Sequence, residues 1–308
     1  MRGWRAVWSG VVVVAVLGTA CGRSGADSGS AAGPGALGVV ASFYPLAVAA
    51  EQVGGERVRV TNLTPAGAEP HDLELDPRQT KELLEAGVAV VMGRGFQPAV
   101  ERTAGQRQGV TVEVLRALPV SQDGEVAPEG QAAGLDPHVW LDPVLMADVV
   151  DRVAAALARA APADADGFRA RAREYRSQLE VLHRDYERGL GTCKRREIVT
   201  AHETFGWLAK RYGLRQLGIA GLSPEAEPDP RRLAELAALV RRDGVTTIFT
   251  EALVSPAVAQ ALAREAGVRT VVLNPLEGLT EEEIARGATY VSVMRDNLAV
   301  LREALACS

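Results

Sequence analysis

Short apolar segments alternate with helical stretches, once in the first third of this 308-residue chain and again in the last third. In the first half, strands are expected near 38–42 (GVVAS), 57–61 (RVRVT), 88–92 (VAVVM) and 110–114 (VTVEV), with helices near 45–54, 77–86 and 95–103. In the second half, strands are expected near 196–200, 215–219, 245–250 and 269–273, with helices near 203–212, 230–242, 256–266 and 281–305. A strand that returns to its own sheet through a helix runs parallel to its neighbour, so this pattern predicts an α/β fold. Between the halves, Asp142-Pro143 opens a helix to about Arg159, and a second one runs from about Ala165 to Leu190. The second would span more than about 35 Å. A long helix between two similar halves reads as a rigid connecting rod, with two lobes each built on a central parallel sheet.

The expected boundaries are a leader at 1–20, a tether at 21–37, a first lobe at 38–162, the connecting helix at 163–190 and a second lobe at 191–308. Arg2 and Arg5 precede an apolar run from Ala6 to Leu17, and Gly18, Thr19 and Ala20 lead to Cys21. This is the charged, apolar and small-residue order of an export signal. A cysteine at that point resembles a bacterial lipobox, with Leu17 one position further back than usual, so Cys21 is the candidate lipidation site and membrane anchor. Residues 22–38 are rich in Gly, Ser and Ala, as flexible tethers are. Export implies an oxidising compartment. Cys193 and Cys307 are then the number needed for one disulfide, or two unpaired thiols. Residues 119–137 form one long irregular stretch, acidic and without histidine, and are expected to be an exposed loop. A net charge of −5 without a basic stripe argues against a nucleic-acid partner.

The chain has four histidines, and three of them sit in loops expected to follow strands, each beside acids. They are His71 in Glu69-Pro70-His71-Asp72, His138 in Asp136-Pro137-His138, and His202 in Thr200-Ala201-His202-Glu203. Glu251 follows the expected strand 245–250 in the same way. Open parallel sheets bind ligands at the carboxyl ends of their strands. Two facing lobes would bring His71 and His138 together with His202 and Glu251. Neutral imidazole suits Zn(II), which takes four ligands, so three histidines leave one position for Glu251, Glu69 or water. Glu69, Asp136 and Glu203 could orient the rings through their other nitrogen, and so could Glu251 if it does not ligate. His183, inside the connecting helix, reads as a surface residue, and Glu281-Glu282-Glu283 reads as the first turn of the last helix.

These segments resemble the metal-binding proteins of ABC importers for zinc and manganese, the cluster A-I solute-binding family. The resemblance is carried by VVASFYP at 39–45, EPHDLEL at 69–75, DPHVWLDP at 136–143, TAHETFGWLAKRYGL at 200–214 and FTEALVSP at 249–256, and runs to the closing helix around Asn297-Leu298. It implies two α/β lobes, a rigid connecting helix, and a metal between the lobes held by His71, His138 and His202. It implies an ABC permease and its ATPase as partners, and a monomer that is not an enzyme. Manganese-type members usually carry Glu where His202 stands and Asp about four residues past Glu251, where this chain has Ser255. That difference favours zinc over a manganese or iron homologue. Many zinc-type relatives have a His-rich loop between the first two ligands, which 119–137 lacks. Some relatives carry a disulfide in the second lobe. Two readings from other classes compete: a zinc hydrolase with Glu69 or Glu203 as general base, although no HExxH is present, and an adhesin-like surface protein with a structural metal.

Overall fold

The computed structural model describes residues 1, 35–118, 136–224 and 229–308. The leader, Cys21, most of the tether and nearly all of the 119–137 stretch lie outside them. The first half contains β1 (Leu37–Ala41), α1 (Tyr44–Gly54), β2 (Val58–Asn62), α2 (Pro77–Glu85), β3 (Val88–Val91), α3 (Pro98–Ala104), β4 (Val110–Glu113) and a single turn, α4 (Val114–Ala117). Two long helices follow, α5 (Pro143–Ala160) and α6 (Ala165–Leu190). The second half contains β5 (Glu197–Thr200), α7 (Gly206–Tyr212), β6 (Arg215–Gly218), α8 (Pro230–Arg242), β7 (Thr247–Thr250), α9 (Ala257–Ala266), β8 (Arg269–Val272), α10 (Glu281–Ala285) and α11 (Tyr290–Leu305).

Each half forms a four-stranded sheet in the same order, β2-β1-β3-β4 and β6-β5-β7-β8. All six strand pairs are parallel. The chain reverses its direction of sheet building between β1 and β3, and again between β5 and β7. Those switch points open a crevice at the carboxyl end of each sheet. The central strand β3 is apolar at every position and wholly buried, as a strand covered on both faces must be.

The expected helix at 281–305 is two helices. Gly287 sits at φ +74°, in the left-handed region that ends helices, and Thr289 caps a new one through Ser292. Glu283 is an N3 partner in a capping box with Thr280 and also accepts from the Asn274 side chain, so it is more than a favourable charge in a first turn.

The connecting helix is not solitary. Phe168, Ala172, Tyr175, Leu179, Leu182, Tyr186 and Leu190 of α6 are buried at steps of three and four. This is the stripe of a helix packed along one side. It lies against α5, α1 and α11. His183, on the flank of that stripe, is half-buried, with Nδ1 3.1 Å from the Tyr212 hydroxyl, rather than an open surface residue. Cys193 and Cys307, 114 residues apart, are joined in a disulfide that ties the end of α11 to the segment after α6.

The main hydrophobic core is continuous across both halves. It contains the first sheet, α5 and α6, together with Phe205, Leu208, Ala209 and Tyr212 around α7, Leu273, Leu276 and Leu279 after β8, and the inner face of α11. A smaller core under β5–β7, α8 and α9 belongs to the second half alone. The α6 stripe therefore makes a sharp local prediction. Leu182→Ala should cost about 2–5 kcal/mol, by lost burial and a residual cavity, while its exposed neighbour Val181→Ala should cost less than about 1 kcal/mol. Chemical denaturation of the two variants measures both.

A candidate metal centre between the lobes

His71 lies in the loop after β2. Its backbone N–H donates to the Glu69 carboxylate at 3.1 Å, and Gln97 anchors the same loop by donating to the Pro70 carbonyl at 3.0 Å. The Phe96 ring packs edge-on against the imidazole, with centroids 4.5 Å apart. His138 precedes a 3-10 turn (Val139–Leu141) that leads into α5. Asp136 accepts from its backbone N–H at 2.9 Å and lies 2.7 Å from Nδ1. Fixing both main chain and ring with one carboxylate leaves Nε2 as the free nitrogen.

His202 follows β5. Glu251, from the loop after β7, repeats the same device across the switch point, accepting from the His202 backbone N–H at 3.2 Å and meeting Nδ1 at 2.9 Å. Gln216 donates to the His202 carbonyl at 3.0 Å. Glu251 was the candidate fourth ligand, but it stands behind the imidazole it would have joined. Its Oε1 is taken up by Nδ1 and the backbone, on the side away from Nε2, and Glu251 is not among the four residues whose ligand atoms converge.

The carboxylate that meets the three imidazoles is Glu277, in the loop after β8. One oxygen, Oε1, lies 3.3 Å from His71 Nε2 and 3.4 Å from both His138 Nε2 and His202 Nε2. One ligand atom from each of these four buried residues lies within 4.8 Å of every other, a cluster that could hold a metal ion. Nε2 of His138, Nε2 of His202 and Oε2 of Glu277 are buried with no hydrogen-bond partner. Separations of 3.3–3.4 Å are long for hydrogen bonds. They match the edge of a tetrahedron with Zn–N and Zn–O bonds of about 2.0–2.1 Å, which is about 3.3–3.4 Å.

Sequence reading missed Glu277 because it sits in Asn-Pro-Leu-Glu-Gly-Leu, beside no histidine and in no metal-binding spacing. The local signal is backbone. Leu276 takes φ +57°, costly for a branched residue, and it does so one position before the carboxylate. A polar network holds that conformation. The Asn274 side chain accepts from Leu276 N–H at 2.7 Å and donates to Glu283 at 2.8 Å, while Asn297 donates to the Asn274 carbonyl at 2.7 Å.

Glu203 is not behind any imidazole. It is half-buried, and burial raises its carboxyl pKa against the opposing pull of Arg232. Glu69 keeps an edge position, with an oxygen 3.8 Å from His71 Nε2. Ser255 is exposed and outside the cluster, so it says nothing about the choice of metal. The carboxylate position that bears on that choice is Glu277.

Burial alone would lower the pKa of His202. The hydrogen bond from Glu251 and the charges of Glu251 and Glu277 outweigh it and hold the imidazole well above its ordinary value. Burial lowers His138 too, and Asp136 with Glu277 reverses that to a net rise. Burial would raise Glu277, but the three imidazoles hold it well below the usual carboxylate range.

The chain matches, over residues 39–304, the family described as zinc-uptake complex component A, periplasmic. The chain belongs to this family. It is similar to the high-affinity zinc uptake system protein ZnuA of Bacillus subtilis, with 34% identity over 97% of this chain and 98% of that protein. It is 36% identical to the zinc-binding lipoprotein AdcA of Streptococcus pneumoniae over 87% of this chain, but spans only 56% of that longer protein. Among solved structures, it resembles the Zn(II)-bound ZnuA-like domain of S. pneumoniae AdcA (35% identity, TM-score 0.74, 88% of this chain and 99% of that one). It also resembles the laminin-binding protein of Streptococcus agalactiae, described as both an adhesin and a metal transporter (30% identity, TM-score 0.77, 87% and 99%). The family is a solute-binding component of a transporter and not an enzyme, which removes the hydrolase reading.

The raised histidines set the sign of the pH dependence. In the metal-free protein, His202 contributes stability below the unfolded histidine pKa near ~6.5, and that contribution is lost as pH rises through its raised folded value. Zinc needs the neutral ring, so metal-dependent stability runs the opposite way and is lost as pH falls. Zinc binding should therefore release protons from the site, since the metal needs the neutral ring and His202 is shifted toward its charged form. Titration calorimetry in buffers of different ionisation enthalpy reads that release, and a binding enthalpy independent of buffer would contradict it.

Proposed function

We propose that this chain is the extracytoplasmic zinc-binding component of an ABC-type importer, holding one Zn(II) between its lobes and delivering it to a membrane permease driven by an ATPase. The observation that carries this reading is the ring of three Nε2 atoms around one Glu277 oxygen, buried, with the three oxygen-to-nitrogen separations at the edge length of a zinc tetrahedron. The ligands are His71, His138, His202 and Glu277. Asp136 and Glu251 fix the tautomers of His138 and His202 from behind.

The chemistry favours zinc over manganese. Three imidazoles and one carboxylate suit a borderline-soft tetrahedral ion, whereas manganese prefers more oxygen and a higher coordination number. The family and the zinc-bound relative support the same choice. Residues 1–20 are the leader, Cys21 is the lipid attachment point, and the anchored chain works as a monomer with lobes 38–162 and 191–308 around the connecting helix 163–190. No helix among the described residues is long and apolar enough to cross a membrane. An acyl chain at Cys21 supplies the attachment.

Equilibrium titration against a chelator of known affinity should give one zinc per chain, with manganese competing weakly. His202→Ala and Glu277→Gln should each weaken zinc by more than about 100-fold, beyond what an outer partner of a ligand contributes. Glu251→Gln should weaken it by about 10–100-fold. Equal loss in the Glu251 and Glu277 variants would remove the distinction between partner and ligand. A clear preference for manganese would overturn the reading itself.

A further inference from the structure

We propose that Arg211 and Trp207 of α7 form a metal-independent clasp that holds the two lobes in the binding arrangement before zinc arrives. The inference rests on the zinc-binding reading above and deepens it, because both are positioning residues for the ion site.

The two side chains are four residues apart, on one face of a helix that belongs by sequence to the second lobe. Both grip the first-lobe segment that carries His138. Trp207 Nε1 donates to the Asp136 carbonyl at 2.9 Å. Arg211 approaches Asp142 Oδ2 with both Nε and an Nη at 2.7 Å. The Asp142 side chain is 2% exposed and that of Arg211 35%. Paired contacts from a planar guanidinium to a nearly buried carboxylate are among the stronger polar contacts. Asp136 and Asp142 bracket His138, so the clasp holds both ends of that ligand's loop. Gly206 permits the approach, because a β-carbon there would collide with the Asp136 carboxylate. The buried side chains of α7 pack into the main core that runs across both halves and not into the smaller core that belongs to the second half alone.

A second set of contacts closes the seam on the Glu277 side. Trp140 Nε1 donates to the Pro275 carbonyl at 2.8 Å, and the Tyr290 hydroxyl donates to the Trp140 carbonyl at 2.5 Å. Gly67 N–H, in the His71 loop, donates to the Leu279 carbonyl at 3.0 Å. None of these contacts involves a proposed ligand atom. A cleft closed by contacts of this kind does not wait for the ion to close it.

The tryptophans make the clasp measurable. From residue 21 onward, Trp140 and Trp207 are the only two in the chain, and both lie on the seam. Acrylamide quenching of metal-free protein should be nearly the same as that of zinc-loaded protein. Arg211→Gln removes the ion pair. Asp142→Asn removes the charge while keeping an oxygen to cap α5 at Val144. In metal-free form, each variant should be quenched about twofold or more beyond wild type, and zinc should restore protection. Zinc release, followed by stopped-flow chelation, should accelerate about 10- to 100-fold in each, the worth of a charged hydrogen-bonded pair. The double variant should match the singles, since one interaction is lost either way. Metal-free wild type as open to acrylamide as Arg211→Gln would overturn the proposal, and so would unchanged release in both variants. If wild type bound no zinc, the function proposed above would fall, while the quenching comparison would still judge the clasp.

Discussion

The Glu277 carboxylate, enclosed by three imidazoles, is the interaction on which the rest of this structure turns. A buried carboxylate is costly unless a positive partner neutralises it. Without metal, that partner is His202, whose charged form is favoured by Glu277 on one side and Glu251 on the other. With metal, the partner is the ion. The same carboxylate could serve a bound metal ion, since its oxygen stands where the three imidazoles converge. The network Glu283–Asn274–Asn297 and the left-handed Leu276 hold the loop that carries that oxygen. Placing it there needs a backbone conformation that an isolated peptide would avoid.

The three imidazoles reach the same point from three different loops, so the loops must be held in register. The protein does this with one continuous core and a seam of polar contacts, in place of a free hinge. The α6 stripe, α7 and α11 bury their apolar faces into the core that supports the first sheet. The two halves look alike in strand order, yet they are unequal partners, because the second lobe completes the first lobe's core. A ligand shifts an equilibrium only through contacts that differ between states. When the lobes already touch through α7 and the 273–279 loop, most of zinc's binding free energy is available for affinity and little is spent on closure.

The eight strands and most helices were legible because their signal is local. A short β-branched run between turn residues, or a helix opened by Asp-Pro, depends on neighbours in sequence. His71, His138 and His202 were legible for the same reason, since each stands after a strand with an acid beside it. Glu277 was not legible. Glu251, in a loop of the same kind as those of the histidines, looked the better candidate, and only the position of its oxygens behind His202 assigns it to the second role. The single helix expected over 281–305 failed at Gly287 and Thr289, whose stop and start signals lie inside one apolar periodicity.

By itself, the amino-acid sequence determined the α/β class, the two-lobed repeat with its long connecting helix, three histidines as candidate metal ligands and a pair of cysteines that could be joined. These follow from hydrophobic period, turn chemistry and the scarcity of histidine, all written within a few residues of one another. Tertiary structure decided which carboxylate meets the imidazoles, which ones stand behind them, and whether the lobes are held apart or together. Glu277 comes within 3.4 Å of His138 across 139 residues of chain, and Arg211 meets Asp142 across 69. Distances of that kind are set by how helices pack on a shared core, and no local pattern encodes them.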